Sequence, residues 1–192
     1  MSRPRLLFVT GNPRKIVEAE AAFRHHAVDF ETKSLDIDEI QHSDPQKIVE
    51  AKVRAAYDIV QRPVVVHDSH WSIPALNGFP GGYMKDVIGW FEPVDFLNLM
   101  RGKTDRSIDL CDTVAYFDGQ TLKLIVDDEW RGEIVDTPRG NAGISIDKVI
   151  QKKGDNKTVA ELYDLQDAGD EALAGRVEKV WNDFLEWYKE EL

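Results

Sequence analysis

The stretch LLFVTGNPRKIVEAEAAF, residues 6–23, joins two periodicities through a few residues. Residues 5–10 (RLLFVT) read as a buried strand, and Gly11, Asn12 and Pro13 break the run. Ile16, Ala19, Ala22 and Phe23 then recur at helical spacing, which predicts a helix over 13–24. A strand feeding a helix through so tight a turn builds an anion site, because the first helical N–H groups are unpaired and the dipole is positive there. Gly11 lets the chain turn tightly, Thr10 and Asn12 offer donors, and Lys15 adds a charge in the first turn. The turn lacks the G-x-x-x-x-G-K-[ST] spacing of a Walker loop. The same residues fit a plainer reading equally well, with Asn12 a helix cap and Lys15 solvated.

Outward from this unit the pattern repeats. Residues 27–37 carry VDFETKSLDI, a strand and its exit. A second helix starts after Ser43 or Asp44, with Pro45 in its first turn and Ile48, Val49, Val53, Ala56 and Ile59–Val60 in register. PVVVHD (63–68) is a β-branched strand that stops at polar residues. Strand–helix–strand–helix–strand order predicts an α/β fold. Further on, SIPALNGFPGGYMK predicts a structured loop or short hairpin, and 84–101 a helix in two pieces broken near Gly89–Pro93. Residues 107–135 predict antiparallel strands turning at Asp118–Gly119. PRGNAG (138–143) is turn-rich. From about Asp170 an amphipathic helix places Val177, Val180, Trp181, Phe184, Leu185 and Tyr188 on one side. Repeats and linkers are absent from the sequence, so one domain spanning 1–192 is expected.

The chain has 192 residues and a net charge of −11, with no dense Lys/Arg block, which argues against a duplex nucleic-acid partner. Any phosphate site must therefore be local. Cys111 is the single cysteine, so the chain can form no internal disulfide and a reducing cytoplasm is expected. No apolar run nears the roughly 20 residues of a membrane span. The N-terminal apolar stretch is also shorter than the roughly 7–15 residues of a signal-peptide core.

Three further stretches carry chemistry. V-V-V-H-D-S-H-W puts His67 and Asp68 at a strand end, the edge where open α/β sheets bind ligands. Asp68 can ligate Mg²⁺ or take a proton from water, or simply cap a turn. A zinc reading of H-D-S-H is the weaker one, and His67 and His70 also fit as polar neighbours. L-D-I-D-E-I-Q supplies Asp36, Asp38 and Glu39. Mg²⁺ is often held by one or two carboxylates plus substrate phosphates, a need Glu39 and Asp68 meet, although an acidic surface loop explains the same composition. In N-G-F-P-G-G-Y-M-K (77–85) the glycines allow close approach of backbone to a ligand, and Lys85 adds charge.

Taken in order, T-G-N-x-x-K, I-D-E-I-Q, a helix holding Lys52, V-x-D-S and A-L-N-G-F-P-G-G-Y-M-K resemble the inosine triphosphate pyrophosphatase family. These enzymes remove non-canonical purine nucleoside triphosphates. The resemblance is dense over 6–101 and thinner afterwards, where T-P-R-G-N-A-G-I-S-I-D, K-T-V-A-E-L and Arg176 keep the order. It implies an elongated mixed β-sheet flanked by helices, with two lobes and a central cleft, and a homodimer. It implies Mg²⁺-dependent hydrolysis, with Mn²⁺ as the alternative metal, between the α- and β-phosphates to a monophosphate and pyrophosphate. By position, Thr10, Asn12 and Lys15 match the phosphate-binding signature and Glu39 a metal-binding carboxylate. Lys52 matches a lysine facing the phosphates, and Asp68 the residue that activates water. Ser69 and the loop with Gly81, Tyr83 and Lys85 match substrate contacts, and Asp147 and Arg176 lie near the base.

The departures are local. His67-Asp68 stands where the family has two acidic residues, putting an imidazole beside a hard-cation site and favouring softer metals. The aromatic of F-G-[WY]-D-P is lost in Ile144-Ser145-Ile146-Asp147-Lys148. The late E-K-N and S-H-R signatures read D-A-G-D-E-A-L-A-G-R (167–176). Altered base preference is therefore expected, with Trp71 and Trp90 read as core residues rather than replacement rings. A catalytically weak nucleotide-binding homologue and an unrelated phosphate hydrolase are the two other readings.

Overall fold

The computed structural model describes residues 5–169 and 178–191. Strand β1 (Leu6–Val9) is buried along its length and enters helix α1 (Pro13–His26). Asn12 caps α1 by accepting from the Arg14 N–H at 3.0 Å, and Pro13 occupies the first turn, where its missing N–H costs nothing. Strand β2 (Phe30–Lys33) follows. Helix α2 (Pro45–Val60) is capped by the Asp44 carboxylate on the Gln46 N–H, which selects Asp44 over Ser43. Helix α2 is closed by Gln61 in the left-handed region, two residues before the expected stop at Pro63.

Strand β3 (Val64–Ile73) runs longer than the sequence pattern suggests. The polar run His67-Asp68-Ser69-His70 does not end it. It continues through Trp71 and Ile73 and pairs antiparallel with the short β4 (Phe79–Pro80), closing the expected hairpin. Helices α3 (Met84–Trp90) and α4 (Pro93–Leu99) are the two expected pieces. Strands β5 (Ser107–Phe117) and β6 (Leu122–Ile134) join through 118–121, a connection short enough to permit only antiparallel pairing. The Asp118 carboxylate fixes that turn by accepting from the N–H groups of Gln120 and Thr121. Strand β7 (Ile150–Lys152) pairs antiparallel with β6. Helices α5 (Val159–Asp167) and α6 (Lys179–Glu191) complete the described elements.

The strands hydrogen-bond in the order β2-β1-β3-β5-β6-β7, with β4 off the path on β3, a mixed seven-stranded sheet. Both β2 and β3 lie parallel to β1, one on each side. From β1 the chain thus crosses to one neighbour through α1 and returns past β1 to the other through α2. Right-handed crossovers put those helices on opposite faces. The core clusters agree: Phe8 and Val65 pack with Ala19, Phe23, Trp181 and Phe184, while Leu7, Val64 and Val66 pack with Val49, Val53 and Ala56.

The chain divides into two compact units, one formed by the described residues of Met1–Ser69, Asp112–Asp127 and Gly175–Leu192, the other by His70–Cys111 and Asp128–Ala174. The second has its own core, built from Trp71, Ile73, Phe96, Met100, Ile108 and Ile146 among others. Trp71 is a core residue, edge-on to Trp130 at 4.9 Å. Trp90 is not: its side chain is 74% exposed, because α3 ends there with Met84 and Val87 as its buried face. Val180, Trp181, Phe184, Leu185 and Tyr188 are buried as the amphipathic pattern requires, while Val177 lies outside the described residues. Among the described residues no helix is long and apolar enough to cross a membrane.

Candidate functional site

The register Leu7↔Val64 and Phe8↔Val65 sets Val9 opposite Val66, so His67 and Asp68 extend past the carboxyl end of β1. Since the chain departs from β1 toward β2 and returns to β3, this edge is the topological switch point, where open α/β sheets bind ligands. Gly11 leaves β1 with ordinary negative φ, so a left-handed turn is not its purpose. A Cβ there would come within 3.0 Å of Ser34 Oγ, and the glycine lets the chains leaving β1 and β2 run close together.

The plainer reading of the turn holds in part. Asn12 is a helix cap, and Thr10 Oγ1 accepts from the Asn12 N–H at 3.1 Å. Lys15 is not solvated. Its Nζ donates to the His67 carbonyl at 3.0 Å and to Asp68 Oδ1 at 3.2 Å. Lys15 is thus drawn to the middle of β3, with its side chain 17% exposed against 36% for Asp68. Lys52 pairs with Glu39 at 2.7 Å, both four-fifths buried, whereas Asp36 and Asp38 point to solvent. Burial by itself would raise the Asp68 carboxyl, but Lys15 and then Lys52 outweigh it and hold Asp68 below the ordinary carboxylate range.

Strand alternation separates His67 from Asp68. The His67 ring turns to the Trp181 face, 5.5 Å from that indole and 5% exposed as a residue, while Asp68 follows Val64 and Val66 to the α2 side. His67 Nε2 lies 3.3 Å from Asp112 Oδ1. Burial first, then Lys15, lowers the His67 pKa and keeps the ring neutral. Asp112 also accepts from the Ser69 hydroxyl, and with the His67 contact this holds Asp112 below the usual range against burial. Glu18, one turn beyond Lys15 on α1, completes the group. Burial pushes its carboxyl up to about 7, Asp112 and Glu178 adding to the effect and Lys15 and Arg14 opposing it.

Asp112 and Glu18 escaped the sequence reading. The available signal for Asp112 is a lone acid inside the apolar strand L-C-D-T-V-A-Y-F, and for Glu18 its spacing of three from Lys15.

In the other unit, Tyr83 and Lys85 are exposed at the start of α3, and Gly81 has φ +53° with open space around its Cα. Asp147 is buried and its Oδ2 accepts from the Ile144 N–H at 2.9 Å, so the carboxylate closes its own loop. Gly143 is required there because a Cβ would collide with that same oxygen. Ile146 is fully buried and Ile144 is 38% exposed, so the loop presents an aliphatic side chain where the family pattern carries an aromatic loop. Arg176 lies outside the described residues.

The sequence model of the Ham1 family matches residues 6–168. The chain belongs to the Ham1 family. Among Ham1 relatives, the dITP/XTP pyrophosphatase of Methanopyrus kandleri is 30% identical over 96% of both chains. Inosine triphosphate pyrophosphatase 2 of Trypanosoma cruzi is 33% identical over 85% of this chain and 83% of its own. A Ham1 protein of Coxiella burnetii superposes with a TM-score of 0.75 at 22% identity, covering 97% of this chain and 98% of its own. The Staphylococcus aureus Ham1 protein gives 0.75 at 20% identity over 98% and 100%. The inosine triphosphate pyrophosphatase resemblance and the mixed α/β fold are thereby borne out.

As to metal, no group of three or more His, Cys, Asp or Glu among the described residues could hold an ion. Glu39 and Asp68 are oxygen donors, each beside a lysine, which suits a hard cation completed by substrate phosphates rather than a cage made by protein alone.

Proposed function

We propose that this nucleoside triphosphate pyrophosphatase hydrolyses a non-canonical purine nucleoside triphosphate to the monophosphate and pyrophosphate, with Mg²⁺ as cofactor and with altered base preference. The observation that carries the site is the Asp68 carboxylate held between Lys15 and Lys52 at the switch point. Thr10, Asn12 and Lys15 at the start of α1 bind phosphate oxygens, and Lys52 binds from α2. A triphosphate that engages both lysines takes up the charge now spent on Asp68 and Glu39, which frees the Asp68 carboxylate to orient water and take its proton. The water oxygen joins the α-phosphorus, its proton passes to Asp68, and the α–β anhydride bond breaks with pyrophosphate taking the electron pair. Mg²⁺ on Glu39 and Asp68 would supply charge neutralisation at the phosphates. A homodimer is part of the proposal, and light scattering should report twice the 21.9 kDa chain mass.

Altered base preference rests on the loop 138–148. Stacking contributes about 1–3 kcal/mol per base in aromatic sites, and Ile144 and Ile146 offer no ring. The test is a panel of ITP, XTP, dITP, GTP and ATP, read as phosphate released with and without added inorganic pyrophosphatase. Phosphate that appears only with the added enzyme, and an ITP/GTP ratio of kcat/KM far flatter than a strongly ITP-selective enzyme gives, support the reading. Phosphate released without it indicates an ordinary phosphatase, and none under either condition indicates a nucleotide-binding homologue. Asp68→Asn should keep nucleotide binding and lower turnover by about 100-fold or more. Near-normal turnover removes Asp68 from the mechanism.

A further inference from the structure

We propose that Asp112 is a positioning residue for hydrolysis, clamping the two sequence neighbours of Asp68 so that its carboxylate stands at a fixed place against Lys15. The proposal rests on the pyrophosphatase reading above. On β5, Asp112 takes the His67 Nε2–H at 3.3 Å and the Ser69 hydroxyl. His67 and Ser69 alternate with Asp68 along β3, so one carboxylate pins the strand on the face Asp68 does not use. The consequence passes directly to the reacting edge, because the clamped His67 contributes the carbonyl that holds Lys15 Nζ at 3.0 Å, and the same Nζ holds Asp68 Oδ1.

The arrangement also fixes the histidine. An ionised Asp112 accepts only, so Nε2 must carry the proton and Nδ1 is left as an acceptor, buried and without a hydrogen-bond partner among the described residues. A buried imidazole with an idle nitrogen is an expensive choice for packing alone, since an apolar residue against Trp181 avoids that loss. It is a reasonable choice for holding a strand at one height. A reacting group held by such supports is sensitive to small displacement, and about 1 Å can cost on the order of 100-fold in rate.

The test uses the full chain with ITP, phosphate release being coupled to inorganic pyrophosphatase. Asp112→Asn keeps the shape and one acceptor oxygen but removes the charge. It should lower kcat about 10-fold or more while KM stays within about threefold. Long-range ¹⁵N histidine spectra should show the His67 Nε2–H form in the parent and its loss or mixing with the Nδ1–H form in the variant. Unchanged kcat, or an unchanged His67 tautomer, overturns the proposal, as does a loss borne by KM alone. Where Asp112→Asn fails to fold, Ser69→Ala, which removes the other donor to the same carboxylate, must lower kcat in its place with KM within about threefold; a parental kcat there, or the KM-borne loss of a direct substrate contact, overturns the proposal. A parent chain inactive on every nucleotide of the panel refutes the pyrophosphatase reading itself, and that outcome is separate from an active parent with an active Asp112→Asn.

Discussion

Glu18→Gln should stabilise the protein above neutral pH and change it far less in mild acid. The Glu18 carboxyl sits on α1 among Asp112 and Glu178, and burial pushes its pKa from 4.5 to about 7. The folded chain therefore binds this proton more tightly than the unfolded one. Stability contributed by the protonated group is fully present below pH 4.5 and is lost as pH rises through about 7. The shift is 7 − 4.5, about 2.5 units, and at 1.36 kcal/mol per unit the complete loss is about 3 kcal/mol. The side chain is only partly sheltered from water, so the measured gain from Glu18→Gln should grow by about 1–3 kcal/mol between pH 5 and pH 8. For a chain of this length that is several degrees in Tm, at roughly 2–4 °C per kcal/mol. Urea denaturation of parent and variant across that range gives the difference directly. A difference that is flat with pH, or that shrinks toward pH 8, refutes the placement of Glu18 beside Asp112. Asp68 has the opposite sign. Its depressed pKa gives stability present above the unfolded value and lost as pH falls through the folded one.

The remaining predictions concern ligands. Lys15→Ala should weaken triphosphate binding, and monophosphate binding less, in calorimetric titrations with both nucleotides; equal losses would remove Lys15 from the outer phosphates. Glu39→Gln should raise the Mg²⁺ concentration needed for half-maximal rate by about 10-fold or more. His67→Gln should leave that concentration unchanged, because the ring faces Trp181 and Asp112 rather than the side of β3 that carries Asp68. An Mg²⁺ response that follows His67 and ignores Glu39 would overturn this assignment of the metal ligands.

How much of this was legible in the sequence depends on the range of the interaction. The turn after β1 was legible because its signals are local: Asn12 precedes Pro13, and an Asx cap followed by proline specifies a helix start. The α/β class was legible because buried β-branched strands alternate there with segments of helical spacing. The stop of β3 was misread. Polar residues at 67–70 mark the end of burial on one face, whereas a strand persists while its backbone finds partners, and here β5 lies beside β3 in the sheet while β4 pairs with its last two residues. Trp90 was misread for a related reason, since hydrophobicity predicts burial only when the element carrying the residue has a second face to cover.

The roles of charged residues were the least legible, because they are set by partners far away in the chain. Lys15 reads as a cation awaiting an anion, but its partner in the free protein is 53 residues on, so the proposed phosphate site is also an ion pair that a substrate would have to displace. His67 shows the same limit more sharply. Beside Asp68 in the sequence it suggests a shared metal site, because adjacent letters look like adjacent ligands. A strand turns adjacent side chains to opposite faces, and His67 finds Asp112 instead, 45 residues on. An imidazole at a position where the resemblance calls for a carboxylate need not weaken the metal site. Against Asp112 it becomes part of the proposed support on the other side of the strand, away from Glu39 and Asp68, the oxygen donors proposed for the cation.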